Sequence, residues 1–314
     1  MDAVRARQHP LMLIVSAVLV LTACSAGERA VSTGSPDASA DRAGTVDVGE
    51  GRELYLECHG TGSPTVVLVS GLGDSAEVWS MRLDEADSRT PTVYGDVAGF
   101  TRVCAYDRPG TSASRSTDVA QPTSAQISAD DLQTLLTASG ETGRFVLAGH
   151  SYGGPIIRLF ASDHPDDVAG LVLIDALSED LQAGLTAEQK VVFERLNTPQ
   201  PGGEFFDLAT LVTQLQNSTP VRDLPVIVLT ADTPQLTPEA VASGQLPAGV
   251  DQEFADALWA AQLAAQNLLP AKFTDAVHVT DTRSDHYIQL GNPQLVIDSI
   301  RAVVDEVRAT DKSK

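Results

Sequence analysis

The sequence of 314 residues predicts an α/β fold: an eight-stranded, mostly parallel sheet flanked by helices, with a helical cap inserted between core strands. Three observations predict it. Short runs rich in β-branched residues recur, each bounded by Gly, Asp or Pro, as strands buried on both faces do. Stretches of helical period separate them, which requires parallel strands joined by crossovers. Late in the chain two longer helical stretches interrupt that alternation. The length allows one large domain with a sizeable core.

In chain order, the first two strands are Gly44–Val48 and Glu53–Cys58, split by Gly49-Glu50-Gly51, a hairpin turn. Six buried runs follow: Thr65–Ser70, Thr101–Tyr106, Phe145–Ala148, Leu171–Ile174, Val226–Thr230 and Val277–Thr280. Ser124–Ser139 reads as an amphipathic helix with Ile127, Leu132, Leu135 and Leu136 on its apolar face and Gly140 at its end. Pro293–Val307 reads likewise, with Leu295, Val296, Ile300, Val303 and Val304. Residues 177–222 are too long for a simple crossover and are expected to form a cap over the carboxyl edge of the sheet. A further helical insertion is expected at 233–270, where Phe254, Leu258, Trp259 and Leu263 are read as packing residues. The domain is placed at 44–310.

The net charge is −21, from 21 basic and 42 acidic residues scattered through the chain. Such a surface repels phosphate backbones and argues against a nucleic-acid partner, while saying nothing about substrate.

Arg5 and Arg7 precede an apolar run, Leu11–Leu21, that is too short to span a bilayer permanently. Residues 1–23 therefore read as a signal peptide. Leu21-Thr22-Ala23-Cys24 resembles a bacterial lipobox, which implies cleavage before Cys24, lipidation of its thiol, and a lipid-anchored protein on the extracytoplasmic face of the cell membrane. An ordinary secretory leader cut nearby is the alternative. Residues 24–43, small and polar, read as a disordered tether. Export would allow Cys58 and Cys104, both in predicted strands, to pair if those strands are neighbours; two buried free thiols are the alternative.

Gly149-His150-Ser151-Tyr152-Gly153 follows the strand ending at Ala148 and precedes a helix-like stretch beginning at Gly154. This is G-x-S-x-G in a strand–turn–helix context, where the tightness of the turn demands glycine two residues before and two after the serine. Ser151 is the candidate nucleophile, and a serine needs a base. His9, His59, His150, His164 and His278 lie in the leader, beside the elbow, near strand ends or within the last strand. His286 lies in the loop Arg283–Tyr287, before the final helix.

Here the chain resembles the α/β-hydrolase family, whose histidine occupies this loop in the order Ser, acid, His; the likeness runs from about Gly44 to Val307. The resemblance implies a Ser-His-Asp triad with His286 as general base. For the acid it leaves two strand ends open, Asp175 and Asp232. The later strand is the commoner place, but its register is off by one: Thr230 stands where a Gly is usual, and three residues on is Thr233. In some relatives the acid ends the earlier strand, and Asp175 is favoured on that ground. Leu72, in the loop Ser70-Gly71-Leu72-Gly73, and Tyr152 are implied as backbone N–H donors of an oxyanion hole, although Ser70 stands where the family often has His. Tyr106-Asp107-Arg108-Pro109-Gly110 matches a family turn read as structural.

The function expected is hydrolysis of a small-molecule carboxylic ester, or similar acyl bond, through an acyl-enzyme. No metal or cofactor is implied: no dinucleotide fingerprint, phosphate loop or zinc-ligand spacing occurs. The alternatives are an exported aminopeptidase of the same fold, a cofactor-free haloperoxidase-type side reaction, and a non-catalytic ligand binder.

Overall fold

A computed structural model describes residues 41–84, 88–111, 114–198 and 203–313. The proposed leader, most of the tether and Cys24 lie outside the described residues. Eight strands are present among them: β1 (Arg42–Gly49), β2 (Arg52–His59), β3 (Thr65–Val69), β4 (Val103–Tyr106), β5 (Phe145–His150), β6 (Val168–Ile174), β7 (Val226–Leu229) and β8 (Val277–Val279). They form one sheet in the order β1-β2-β4-β3-β5-β6-β7-β8. β1 pairs antiparallel with β2, and β2 antiparallel with β4; all later pairings are parallel. β1 begins two residues before the expected start at Gly44, so Arg42 and Ala43 belong to the sheet and not to the tether.

The burial of each strand follows from its place. β1 at the edge alternates half-buried and exposed residues, whereas every residue of β3, β4, β5 and β6 is buried. Because side chains alternate across a strand, Val67, Val69, Leu147 and Leu173 enter one core layer, while Val66, Leu68, Val146 and Val172 enter the other.

Among the described residues there are nine α-helices: α1 (Val93–Ala98), α2 (Ala125–Ser139), α3 (Gly153–Asp163), α4 (Ala187–Leu196), α5 (Leu208–Asn217), α6 (Pro238–Ala242), α7 (Gln252–Leu268), α8 (Ile288–Gly291) and α9 (Pro293–Lys312). On one face of the sheet lie α2 and α3, with Leu132, Leu135, Leu136, Ile156, Ile157 and Phe160 in the core. On the other lie α1 and α9, which supply Val93, Val97, Val296, Ile300, Val303 and Val304. Ser124 caps α2 by accepting the Ile127 N–H, and Gly140 ends it at φ 76°. Ile127 itself is 48 % exposed, contrary to expectation, because it falls off the stripe of Ala125, Ser128, Ala129, Leu132, Leu135 and Leu136 that the helix buries. The last helix starts with Pro293 at its first position and runs five residues beyond the expected Val307, ending at Lys312. No helix among the described residues is long and apolar enough to cross a membrane.

The two insertions build a single cap. The first, between β6 and β7, carries α4 and α5; the second, between β7 and β8, carries α6 and α7. They pack together where α7 crosses the helical turn Glu179–Gly184: a Cβ on Gly184 would lie 2.6 Å from the Ala261 Cβ. Of the four residues expected to pack on α7, Phe254 is buried, whereas Leu258, Trp259 and Leu263 are only half-buried.

Candidate active site

The strand–turn–helix at Ser151 explains its own glycines. A Cβ on Gly149 would come within 2.6 Å of the Gly153 carbonyl oxygen, and one on Gly153 would collide with the Val69 carbonyl of β3. Only glycine lets β5 turn this sharply into α3 beside β3. Ser151 at the apex has φ 50°, a left-handed conformation that an L-residue adopts only when its surroundings impose it. Three backbone bonds impose it: Ser151 N–H donates to the Ile174 carbonyl at 3.0 Å, and the Ser151 carbonyl accepts from Gly154 and Leu177.

Asp175 follows β6 and also has positive φ, 39°, with its N–H donating to the Leu229 carbonyl of β7. Its carboxylate is buried and accepts three hydrogen bonds. His286 Nδ1–H donates to Oδ2 at 2.6 Å, Gln262 Nε2 donates to the same oxygen at 2.5 Å, and Ala231 N–H donates to Oδ1 at 3.0 Å. With Nδ1 carrying the proton, His286 Nε2 is left with its lone pair free to accept. Asp232 is placed otherwise. It is exposed, its two oxygens accept the Arg283 and Ser284 N–H groups at 2.9 and 3.0 Å, and it thereby ties down the loop that carries His286.

His286 is positioned from a second side. His150 Nε2 is 2.9 Å from the His286 carbonyl oxygen, and the two rings lie 4.7 Å apart. Burial, reinforced by the nearby His286, pushes His150 well below the usual histidine range, so it stays neutral and donates through Nε2. His278, the other histidine near the last strand, is turned to Thr230 Oγ1 at 2.9 Å.

The loop after β3 is clamped by a buried ion pair. Arg108 meets Glu204 through two bonds of 2.6 and 2.9 Å, and its remaining donors reach the Ser70 and Gly71 carbonyls at 3.0 and 2.6 Å. Glu204 in turn accepts the Gly73 N–H at 2.8 Å. Burial works against the Arg108 charge, but Glu204 outweighs it and holds the guanidinium above its ordinary value. The Ser70 hydroxyl, where a histidine was the commoner expectation, closes the loop by donating to the Asp74 carbonyl at 2.7 Å. Neither the Leu72 nor the Tyr152 N–H meets a hydrogen-bond acceptor among the described residues. Tyr152 also stands at the N-terminus of α3, where the helix dipole is positive, and its ring stacks 4.4 Å from Phe206 of the cap.

Ser151, His286, Asp175, Leu72 and Tyr152 all line one cavity of ≈ 100 Å³ beneath the cap. Its walls are Leu177, Leu181, Phe193, Leu196, Phe206 and Leu258, with amides from Asn197, Gln235, Gln262 and Gln266. Among the described residues Asp175 is the one carboxylate in the lining. Away from this site, Cys58 and Cys104, opposite each other on β2 and β4, form a disulfide.

Reading the sequence misses His150 as a support, the Arg108–Glu204 clamp, and Gln262 with Gln266. A signal existed for the last two: amides four residues apart mark one stripe of an Ala- and Leu-rich helix. Glu204 had none, because nothing local shows that the cap returns to the loop after β3.

A model of the alpha/beta hydrolase family matches residues 66–309. Among curated relatives, RutD of Caulobacter sp. (strain K31), named for carbamate hydrolysis, is 32% identical over 140 residues, 44% of this chain and 46% of that one. The chain thus spans less than half the length of the curated relatives it matches first. Among solved structures, an esterase from Thermogutta terrifontis is similar with a TM-score of 0.55 and 19% identity, covering 85% of this chain and 99% of that one. The haloalkane dehalogenase DatA from Agrobacterium tumefaciens C58 gives the same TM-score at 14% identity, with 85% and 97% covered. An esterase and a dehalogenase are equally alike in fold, so the reaction must be argued from the site.

Proposed function

Because the chain belongs to the alpha/beta hydrolase family, we propose that this hydrolase cleaves uncharged carboxylic esters through a Ser151–His286–Asp175 triad and an acyl-enzyme. The observation that carries the reading is the 2.6 Å bond from His286 Nδ1 to Asp175, made in the cavity that Ser151 also lines. Ser151 Oγ attacks the ester carbonyl carbon as His286 Nε2 takes its proton. Asp175 stabilises the imidazolium, and the Leu72 and Tyr152 N–H groups receive the oxyanion. Collapse expels the alcohol, which takes the proton back from His286. Water, deprotonated by the same histidine, then attacks the acyl-serine and releases the carboxylic acid.

A serine at the elbow favours acyl transfer over the aspartyl-ester chemistry of a dehalogenase. Apart from the proposed triad, the described lining is of apolar side chains and uncharged polar groups, which favours a small uncharged acyl group. An aminopeptidase needs a carboxylate for the substrate amine, and among the described residues the lining offers only Asp175, which is already engaged. A pure binder has no use for a histidine aligned by a buried acid.

The test is labelling with a fluorophosphonate, adduct mapping by peptide mass, and turnover of 4-nitrophenyl esters. Wild type should carry the adduct on Ser151, and Ser151→Ala should lose both the adduct and turnover, keeping less than about a thousandth of the activity. A folded Ser151→Ala protein that still hydrolyses ester at the wild-type rate would refute the triad.

We also propose export and anchoring through Cys24. The leader-like sequence supports this, as does the Cys58–Cys104 disulfide, which an oxidising compartment preserves. Expressed with its leader, the protein should sediment with membranes, and Cys24→Ala should release it; an unchanged distribution would remove the anchor from the proposal.

A further inference from the structure

The acid of the proposed triad takes a hydrogen bond from outside the triad, and its donor belongs to the cap. Gln262 lies on α7, in the insertion between β7 and β8, and its side-chain amide reaches Asp175 Oδ2, the oxygen that also accepts His286 Nδ1–H. One turn further along, Gln266 Nε2 donates to the Ala176 carbonyl at 2.6 Å, and its Oε1 lies 3.2 Å from Thr230 Oγ1. The stripe of amides therefore holds α7 against the strand end that carries the acid, on backbone and side chain together.

We propose that Gln262 is a positioning residue for the hydrolytic reaction, acting through Asp175 on the direction of the His286 ring. A carboxylate oxygen has two lone-pair directions in its plane. Ala231 N–H holds Oδ1, and Gln262 occupies one direction at Oδ2, which leaves a single direction for His286 Nδ1–H. The ring orientation follows, and with it the line from Nε2 to the nucleophile. The carboxylate is buried, and a donor-free side chain of similar bulk in place of Gln262 leaves it short of one hydrogen bond. Gln262 also lines the cavity, so the helix that forms the roof of the pocket completes the alignment of the acid below it. This role rests on the triad reading, because a positioning residue needs a reaction to position.

The experiment compares full-length wild type with Gln262→Leu, which keeps the bulk but removes the donor, and with Gln262→Met as a second donor-free side chain. Leu258→Ala, one turn earlier on α7, trims the wall without touching Asp175. Two readouts are taken: kcat and KM on a short-chain 4-nitrophenyl ester, and the far-downfield proton resonance of His286 Nδ1–H, assigned by its loss in His286→Ala.

Both Gln262 variants are expected to lose about tenfold in kcat, with KM within about threefold of wild type, as when a group supporting a reacting side chain is removed. Both should shift or broaden the Nδ1–H resonance. Leu258→Ala should raise KM and leave the resonance in place. A Gln262 variant with unchanged resonance, whose only defect is a higher KM, overturns the proposal and reduces Gln262 to a piece of wall. If Gln262→Leu melts at a much lower temperature than wild type, the reading is taken from Gln262→Met. If no variant, wild type included, turns over ester or labels at Ser151, the ester reading fails, while the resonance still decides whether Gln262 acts on the Asp175–His286 pair.

Discussion

Ser151 and Asp175 both hold left-handed backbone conformations, φ 50° and 39°, at the ends of adjacent parallel strands. Such a position costs about 1–3 kcal/mol and persists only where the surroundings over-determine it. Here each is fixed by backbone bonds to the neighbouring strand. The two candidate acids separate cleanly at this scale: Asp175 is buried with three donors, and Asp232 serves the backbone of the histidine loop. Asp175→Asn, which can no longer hold the tautomer with hydrogen on Nδ1, should lower kcat by about 10⁴-fold, whereas Asp232→Asn should stay within about tenfold of wild type. Steady-state kinetics on the folded variants checks this, and equal losses would show that the loop, not the tautomer, is what matters. The elbow was readable in the sequence because glycine spacing is a local steric demand, and His286 because its loop resembles the family's in chain order. The acid was readable only as a pair of strand ends, since which carboxylate meets the ring depends on where β7 and β8 lie.

The elements themselves were largely legible where burial imposes a period. The hairpin, the buried strands and the two long helices at 125–139 and 293–312 lie close to where their patterns put them. The cap was legible as an interruption but not as a structure, because its contacts join residues far apart in sequence. One such joint is the turn Glu179–Gly184. Glu179 meets Arg158 of α3 at 2.7 Å and Lys272, beyond α7, at 2.9 Å, so the core and both insertions converge on one carboxylate. Burial opposes its charge, but Arg158, assisted by Lys272, outweighs burial and brings it down from an ordinary 4.5 to about 2. A group with a depressed folded value stabilises the fold above its unfolded value and loses that contribution as pH falls from about 5 toward 2. Glu179→Gln should therefore melt lower than wild type at neutral pH, and the gap should close as the pH is lowered through that window. Parallel melting curves from pH 7 to pH 2 would show that the cap does not depend on this charge.

At the scale of the molecule, the antiparallel margin formed by β1 and β2 joins the parallel sheet through β2 and β4, and the disulfide sits in that joint. It spans 46 residues, a loop whose closure in the unfolded chain corresponds to about 4 kcal/mol. The double variant Cys58→Ala, Cys104→Ala should accordingly melt roughly ten degrees lower, read by calorimetry. An unaltered melting temperature would mean that the unfolded chain is already held near that closure without the bond. The pairing was open in the sequence, because two cysteines in predicted strands meet only if those strands are neighbours, and strand order is a property of the whole sheet.

The same sheet order spreads the proposed triad unevenly along the chain. Ser151 and Asp175 come from one strand–helix–strand unit, β5 to β6, while the His286 partner of Asp175 is 111 residues further on. A growing polypeptide therefore acquires the proposed nucleophile and acid together, and the proposed base 111 residues after the acid. On the proposed triad, a fragment that stops short of residue 286 would lack its base, so turnover would report that translation had passed that residue.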